Sequence, residues 1–185
     1  MNISSIIMIL WLLSEIVLNL LHRSKMPDTK QLDKNSITII WATIVIAITA
    51  SVFVAIFIHV PILNNNLLKY TGVVMIVTGV ILRLVAIRTL GKFFTVNLAI
   101  DNEHRLIDTG LYKYIRHPSY SGSLLSFLGL ALYFNNWICL VVILIPLVSV
   151  FIFRINIEER LLQQQPGLHY DVYCKRTKRL IPFVY

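Results

Sequence analysis

Of 185 residues, 57% are hydrophobic and only 14% are charged, with a mean hydropathy of +0.74. Soluble domains carry roughly 25% charge, so an ordinary water-soluble enzyme is excluded. The formal net charge of +8 does not point to nucleic acid either, because the bases sit between apolar runs rather than along one face. The length sets one domain, and the grouping of apolar residues is that of membrane spans of about 20 residues.

Five apolar segments follow in chain order, at about 3–21, 37–60, 66–88, 119–134 and 137–157. The first has no basic n-region and no small-residue cleavage pattern, and Glu15 and Asn19 interrupt it. It reads as a retained span rather than a signal peptide. An acid at that depth is costly and calls for a partner. Arg83 or Arg88, at matching depth in the third segment, is the expected one. "HRSKMPDTKQLDKNS" reads as a loop, and "PILNNN" and "NNW" read as tight turns. The fourth segment spans about 24 Å at 1.5 Å per residue and forms a hairpin with the fifth.

With five spans, the bases gather on one side: Arg23 to Lys34, Lys92 to Arg116, and Arg154 to Arg179. Only Lys69 falls on the other. By the positive-inside rule the N-terminus is outside and the C-terminus cytoplasmic, in the plasma membrane if the source is prokaryotic. Cys139 and Cys174 then lie at opposite ends of the last span and are free thiols. There is no G-x-G-x-x-G after a strand, and no HExxH, CxxC or carboxylate pair at metal spacing. Neither a Rossmann site nor metal catalysis is expected.

Three constellations could carry chemistry, all on the basic side. In "GLYKYIRHPSYSG", Pro118 suits the first turn of a helix, with Arg116 and His117 just before it and Tyr120 in the first turn. Unpaired N–H groups there can receive a carboxylate or hydroxyl-rich ligand; interfacial anchoring by Tyr, His and Arg is the plain alternative. In "FRINIEERLL", Arg154 and Glu158 share a helix face, either as a site or as a surface ion pair, while Glu159 and Arg160 are expected to meet solvent. The tail "GLHYDVYCKRTKRLIPFVY" follows a helix-breaking Pro-Gly, and its apolar end argues for docking, with an amphipathic cap on headgroups as the alternative.

The string "HRLIDTGLYKYIRHPSYSG", an apolar hairpin, then R-x3-EE-x2-L, G-x2-Y-x2-Y and R-x-IP resembles, over residues 90–185, the isoprenylcysteine carboxyl methyltransferase family of integral membrane proteins. The short chain resembles the family's prokaryotic members. The resemblance implies an all-α polytopic fold of about five spans, one domain in which residues 1–88 supply three spans and 89–185 the catalytic region. It implies S-adenosylmethionine at the cytoplasmic face, in a pocket formed by the last two helices, the preceding connector and the tail. Carried over by position, the cofactor residues are Asn97 (shorter than the glutamine of eukaryotic members), His104, Arg105, Leu106, Ile107, Tyr112, His117, Pro118, Ser119, Tyr120 and Glu158. Arg154 matches the arginine facing the methyl acceptor, and Arg179 and Pro182 close the pocket. Arg154 and Glu158 are the catalytic pair.

The implied function is methyl transfer to a lipophilic acceptor entering from the bilayer, such as a prenylcysteine-like carboxylate, with no nucleic acid or metal involved. Phospholipid amines and small phenols or thiols are alternative acceptors. A different class is a nicotinamide-dependent membrane reductase resembling sterol reductases, whose chains are much longer.

Overall fold

The computed structural model describes residues 3–21, 35–91, 94, 106–165 and 169–182. Apart from two isolated β-bridges, the regular structure among them is helical. The helices are α1 (Ile3–Leu21), α2 (Asn35–Phe57), α3 (Leu67–Leu90), α4 (Pro118–Tyr133), α5 (Trp137–Gln163) and α6 (Tyr170–Arg176), with a 3-10 turn at Gly110–Lys113. Three are long and apolar enough to cross a membrane: Ser36–Phe57 of α2, α3 and α5. Ile6–Leu18 of α1 is a shorter apolar helix, and α4 has 16 residues.

Local chemistry sets most boundaries. Pro118 opens α4, where its missing N–H costs nothing. Gly91, at φ 53°, closes α3. The side-chain oxygen of Asn136 caps α5, accepting from the backbone N–H groups of Ile138 (2.9 Å) and Cys139 (3.4 Å). The apolar segment ends near residue 157, and α5 continues past it to Gln163, as the shared helix face of Arg154 and Glu158 requires, because Glu158 to Gln163 are good helix formers with no breaker among them.

Side chains as apolar as Leu10, Ile46, Phe53, Phe57, Val74, Ile81 and Ile145 face outward, as in a bundle solvated by lipid. The inner core joins Trp11, Ile44, Ile76, Phe127, Leu130, Ile143, Leu147 and Phe151, with Trp11 edge-on to Phe127 at 5.2 Å between centroids. Hydroxyls on the outer faces return to their own helix, as Thr43 does to the Ile39 carbonyl and Thr78 to that of Val74, both at 2.8 Å. This satisfies them without water.

Two antiparallel pairs make the frame. α4 lies against α3, with Gly72 opposite Gly129 and Gly79 opposite Gly122. A Cβ added at Gly79 would stand 2.5 Å from the Gly122 carbonyl oxygen, and one at Gly122 2.6 Å from that of Gly79. α2 lies against α5, with Arg154 donating to Ser36 at one end and the Cys139 thiol donating to the Ser51 carbonyl (3.3 Å) at the other. α4 also packs on α5, and α1 on α3. The expected partner of Glu15 is Arg83, whose Nη1 lies 3.2 Å from the Glu15 carboxylate and also donates to Ser123. One guanidinium thereby ties α1 to α3 and α4.

The two turns at the far end interlock. Asn135, at φ 48°, accepts from the Leu63 N–H (3.0 Å) and donates to its carbonyl (2.6 Å), and Asn136 donates to the Ile58 carbonyl (2.6 Å). Both cysteines are free, Cys139 toward this end and Cys174 at the opposite one.

Candidate active site

The end of the bundle where α2 and α4 begin and α3 and α5 finish gathers the polar side chains. The backbone sets the frame. Residues 114–117 run beside 177–179 as a short parallel pairing: Lys178 N donates to Tyr114 O (3.0 Å), Arg116 N to Lys178 O (2.7 Å) and His117 N to Arg179 O (3.1 Å). Ser121 adds its hydroxyl to the Leu180 carbonyl (2.6 Å). The tail is therefore docked on the start of α4, as expected, but through main-chain and polar contacts rather than its apolar end, of which Leu180 is buried while Ile181 and Pro182 are exposed, and α6 is part of the dock.

Glu159 is the surprise. The sequence leaves it in solvent beside Arg160. Arg160 is exposed, but Glu159 is 5% exposed. Its Oε1 accepts from Arg116 Nε (2.8 Å) and lies 3.3 Å from His117 Nε2, while Oε2 is 2.8 Å from Arg179 Nη2. Arg116 is further held by the carbonyls of Thr177 (2.5 Å) and Cys174 (3.2 Å). The reason lies in helix periodicity: Ile143, Leu147, Phe151 and Ile155 form the buried i,i+4 row of α5, and Glu159 is its next member. That row was the signal available in the sequence.

Arg154 is 1% exposed and the largest fully buried side chain described, so it neither snorkels nor forms a surface pair. One turn on, Glu158 is about a quarter exposed in its side chain and accepts from the Tyr120 hydroxyl at 2.9 Å. His117, 5% exposed, stacks on Tyr120 at 5.6 Å between centroids, and its Nδ1 is 4.0 Å from Glu158 Oε2.

Tyr112 is buried in the 3-10 turn and its carbonyl accepts from the Tyr173 hydroxyl (2.6 Å). Burial, with the Glu158 charge adding to it, holds the Tyr112 hydroxyl well above the usual phenol range. Burial does the same for Tyr170 and Tyr173. All three are protonated at neutral pH and can act as donors.

Leu106 and Ile107 are half-buried in the connector, Pro118 and Ser119 are buried in the first turn of α4, and Pro182 is exposed. Asn97, His104 and Arg105 lie outside the described residues. The fold thus brings Tyr112, His117, Tyr120, Glu158 and Arg154 to one end, with Arg179 bound to Glu159. Sequence reasoning missed Glu159 and Ser36 there. Among the described residues no cluster of three or more His, Cys, Asp or Glu could hold a metal.

The family model described as phospholipid methyltransferase matches residues 67–167, more than half the chain. The chain is 33% identical over 118 residues to a probable protein-S-isoprenylcysteine O-methyltransferase of Oryza sativa subsp. indica, covering 63% of this chain and 62% of that one. It is 36% identical over 115 residues to protein-S-isoprenylcysteine O-methyltransferase B of Arabidopsis thaliana, covering 61% and 58%. It therefore spans about three fifths of the length of these curated relatives. Among solved structures it resembles the eukaryotic intramembrane Ras methyltransferase ICMT (isoprenylcysteine carboxyl methyltransferase), with a TM-score of 0.56 and 27% identity over 82% of this chain and 53% of that one. The expectation of a prokaryotic source draws no support from these eukaryotic proteins. The resemblance read from the sequence is borne out, and the outward-facing apolar helices agree with an integral membrane protein. On the extent of the family match, the chain belongs to the phospholipid methyltransferase family.

Proposed function

We propose that this protein transfers a methyl group from S-adenosylmethionine to the carboxylate of a lipophilic, prenylcysteine-like acceptor that enters from the bilayer. The observation that carries this reading is the buried guanidinium of Arg154 one helical turn from Glu158. A buried cation suits an anionic acceptor and disfavours the ammonium headgroup of a phospholipid amine. The names of the relatives agree with it.

The residues present fit the cofactor. Glu158 is partly exposed, accepts one hydrogen bond from Tyr120, and sits among the rings of Tyr112, Tyr120 and His117, a setting suited to a cation. These residues would hold S-adenosylmethionine, with Leu106, Ile107, Pro118 and Ser119 and, from the connector, Asn97, His104 and Arg105. When bound, the cofactor supplies an electrophilic methyl group on a sulfonium.

The chain's own residues then mainly position. A carboxylate acceptor is ionised at neutral pH and needs no general base. Arg154 orients it through paired N–H groups. The tail, docked through Glu159, excludes water from this end. In this reading five helices cross the bilayer, α1 and α4 included. The polar end faces the cytoplasm, and residues 89–185 carry the catalytic region of a single domain. A cysteine placed at Lys178 should resist impermeant thiol reagents in sealed cells; labelling from outside would overturn the orientation.

The test of the site is three variants. Glu158→Ala should weaken cofactor binding at least tenfold, the loss of a charge-assisted hydrogen bond of about 1.5–3 kcal/mol. Arg154→Ala should leave cofactor binding within about twofold while turnover collapses, because the acceptor is no longer held in line. Arg154→Lys should restore little, since an ammonium cannot reproduce the planar fork. Full turnover in Arg154→Ala would sink the assignment.

A further inference from the structure

The α2–α5 seam carries one polar contact near each end. Ser36 and Ser51 stand fifteen residues apart on α2, and Cys139 and Arg154 stand fifteen apart on α5. The contacts Cys139–Ser51 and Arg154–Ser36 thus share one antiparallel register over about 22 Å at 1.5 Å per residue. Between them Ile44 and Ala47 on α2, and Ile143, Leu147 and Val150 on α5, are buried. The first contact ties a thiol to a backbone carbonyl. The second is different: Ser36, 1% exposed, presents its hydroxyl oxygen to Nη1 of a guanidinium that is itself 1% exposed.

A long side chain has several rotatable bonds and points where its partners hold it. An Arg that must present a particular N–H edge needs such partners. From these facts we infer that Ser36 is a positioning residue for methyl transfer: by accepting from Arg154, which is also hydrogen-bonded to Tyr120, it helps fix the plane of the guanidinium that orients the acceptor carboxylate. The inference rests on the acceptor role proposed for Arg154 and adds a residue from the first half of the chain, so the site is not confined to the region after α3. Ser36 touches neither donor nor acceptor in this role. Its effect passes through Arg154.

The experiment uses the full chain in detergent or nanodiscs with S-farnesylated N-acetylcysteine as acceptor. It compares wild type, Ser36→Ala, Cys139→Ala, Arg154→Ala and the double variant Ser36→Ala/Arg154→Ala. Ser36→Ala should lower kcat about tenfold while the KM for S-adenosylmethionine stays within twofold. Cys139→Ala, which loosens the same seam at its other end, should leave kcat within twofold. The double variant should be no slower than Arg154→Ala alone, because residues acting through one group are non-additive.

A kcat for Ser36→Ala equal to wild type, in a protein where Arg154→Ala is inactive, would overturn the role of Ser36 and leave the acceptor reading intact. Equal losses in Ser36→Ala and Cys139→Ala would overturn it too, reducing Ser36 to general packing. Absence of methyl transfer by wild type, or full activity of Arg154→Ala, would remove the acceptor reading and the role of Ser36 with it.

Discussion

Between α3 and α4 the contact is backbone against backbone, whereas at the polar end, where the tail from His169 to Pro182 lies over α4 and α5, it is charge against charge. Glycines recur seven residues apart on both helices of the first region, Gly72 and Gly79 on α3 and Gly122 and Gly129 on α4, and each meets a carbonyl oxygen of the opposite helix. Lipid offers no hydrophobic drive for helix pairing, so close approach of small residues has to supply it by van der Waals contact. In the second region one carboxylate gathers Arg116, His117 and Arg179. Geometry that leaves no room fails as a whole. A dock held by one anion can fail locally and leave the bundle standing. The proposed site lies at the junction, with Tyr120 on the glycine-packed helix and Glu158 beside the clamp.

The largest effect should come from the seam. In Gly122→Leu the new side chain would meet the Gly79 carbonyl and the Arg83 backbone. A small-to-large change in a packed core costs typically 1–3 kcal/mol. Here the obstacles are main-chain atoms that cannot rotate away, so a loss of at least about 3 kcal/mol is expected. Glu15 should then be orphaned as well, because Arg83 is the link from α1 to α4. The measurement is the yield of monodisperse protein after detergent extraction, together with its melting temperature. A wild-type melting temperature would show that the two helices can separate freely, and the contrast between the regions would collapse.

How much of this could be read from the sequence follows the same division. The five apolar segments, the two tight turns and a basic partner for Glu15 in the third segment, though not the choice of Arg83 over Arg88, were legible, because span length, turn residues and the cost of a buried charge are local facts. Docking of the tail was legible as an outcome but not in its means: the apolar end suggests burial, yet Ile181 and Pro182 are exposed and the hold is polar and main-chain. Glu159, which its charge alone assigns to solvent, is carried inward by the i,i+4 row of α5. Ser36 was invisible: a serine beginning an apolar helix gains meaning only from the register of α2 on α5, which no local pattern encodes.

The smaller effect sharpens the comparison most. Glu159→Gln keeps the shape of the side chain and one acceptor oxygen but removes the charge that Arg116 and Arg179 share. Breaking a buried pair by removing one partner costs about 3–5 kcal/mol where both charges stay dry. Arg179 is 30% exposed in its side chain and can recover water, so about 2–3 kcal/mol is expected. That cost falls on docking of the tail, since the Gly72–Gly129 and Gly79–Gly122 contacts do not involve Glu159. Trypsin should therefore cut after Lys175, Arg176 or Lys178 roughly thirty- to a hundred-and-fiftyfold faster, the equivalent of that free energy at RT of about 0.6 kcal/mol. The melting temperature of the bundle should move by only a few degrees. Cofactor affinity should fall in parallel with tail release, because the proposed pocket is closed by the same segment. Unchanged proteolysis would mean that the backbone pairing of residues 114–117 with 177–179 holds the tail unaided. A collapse of the whole bundle would mean that the two regions are one cooperative unit.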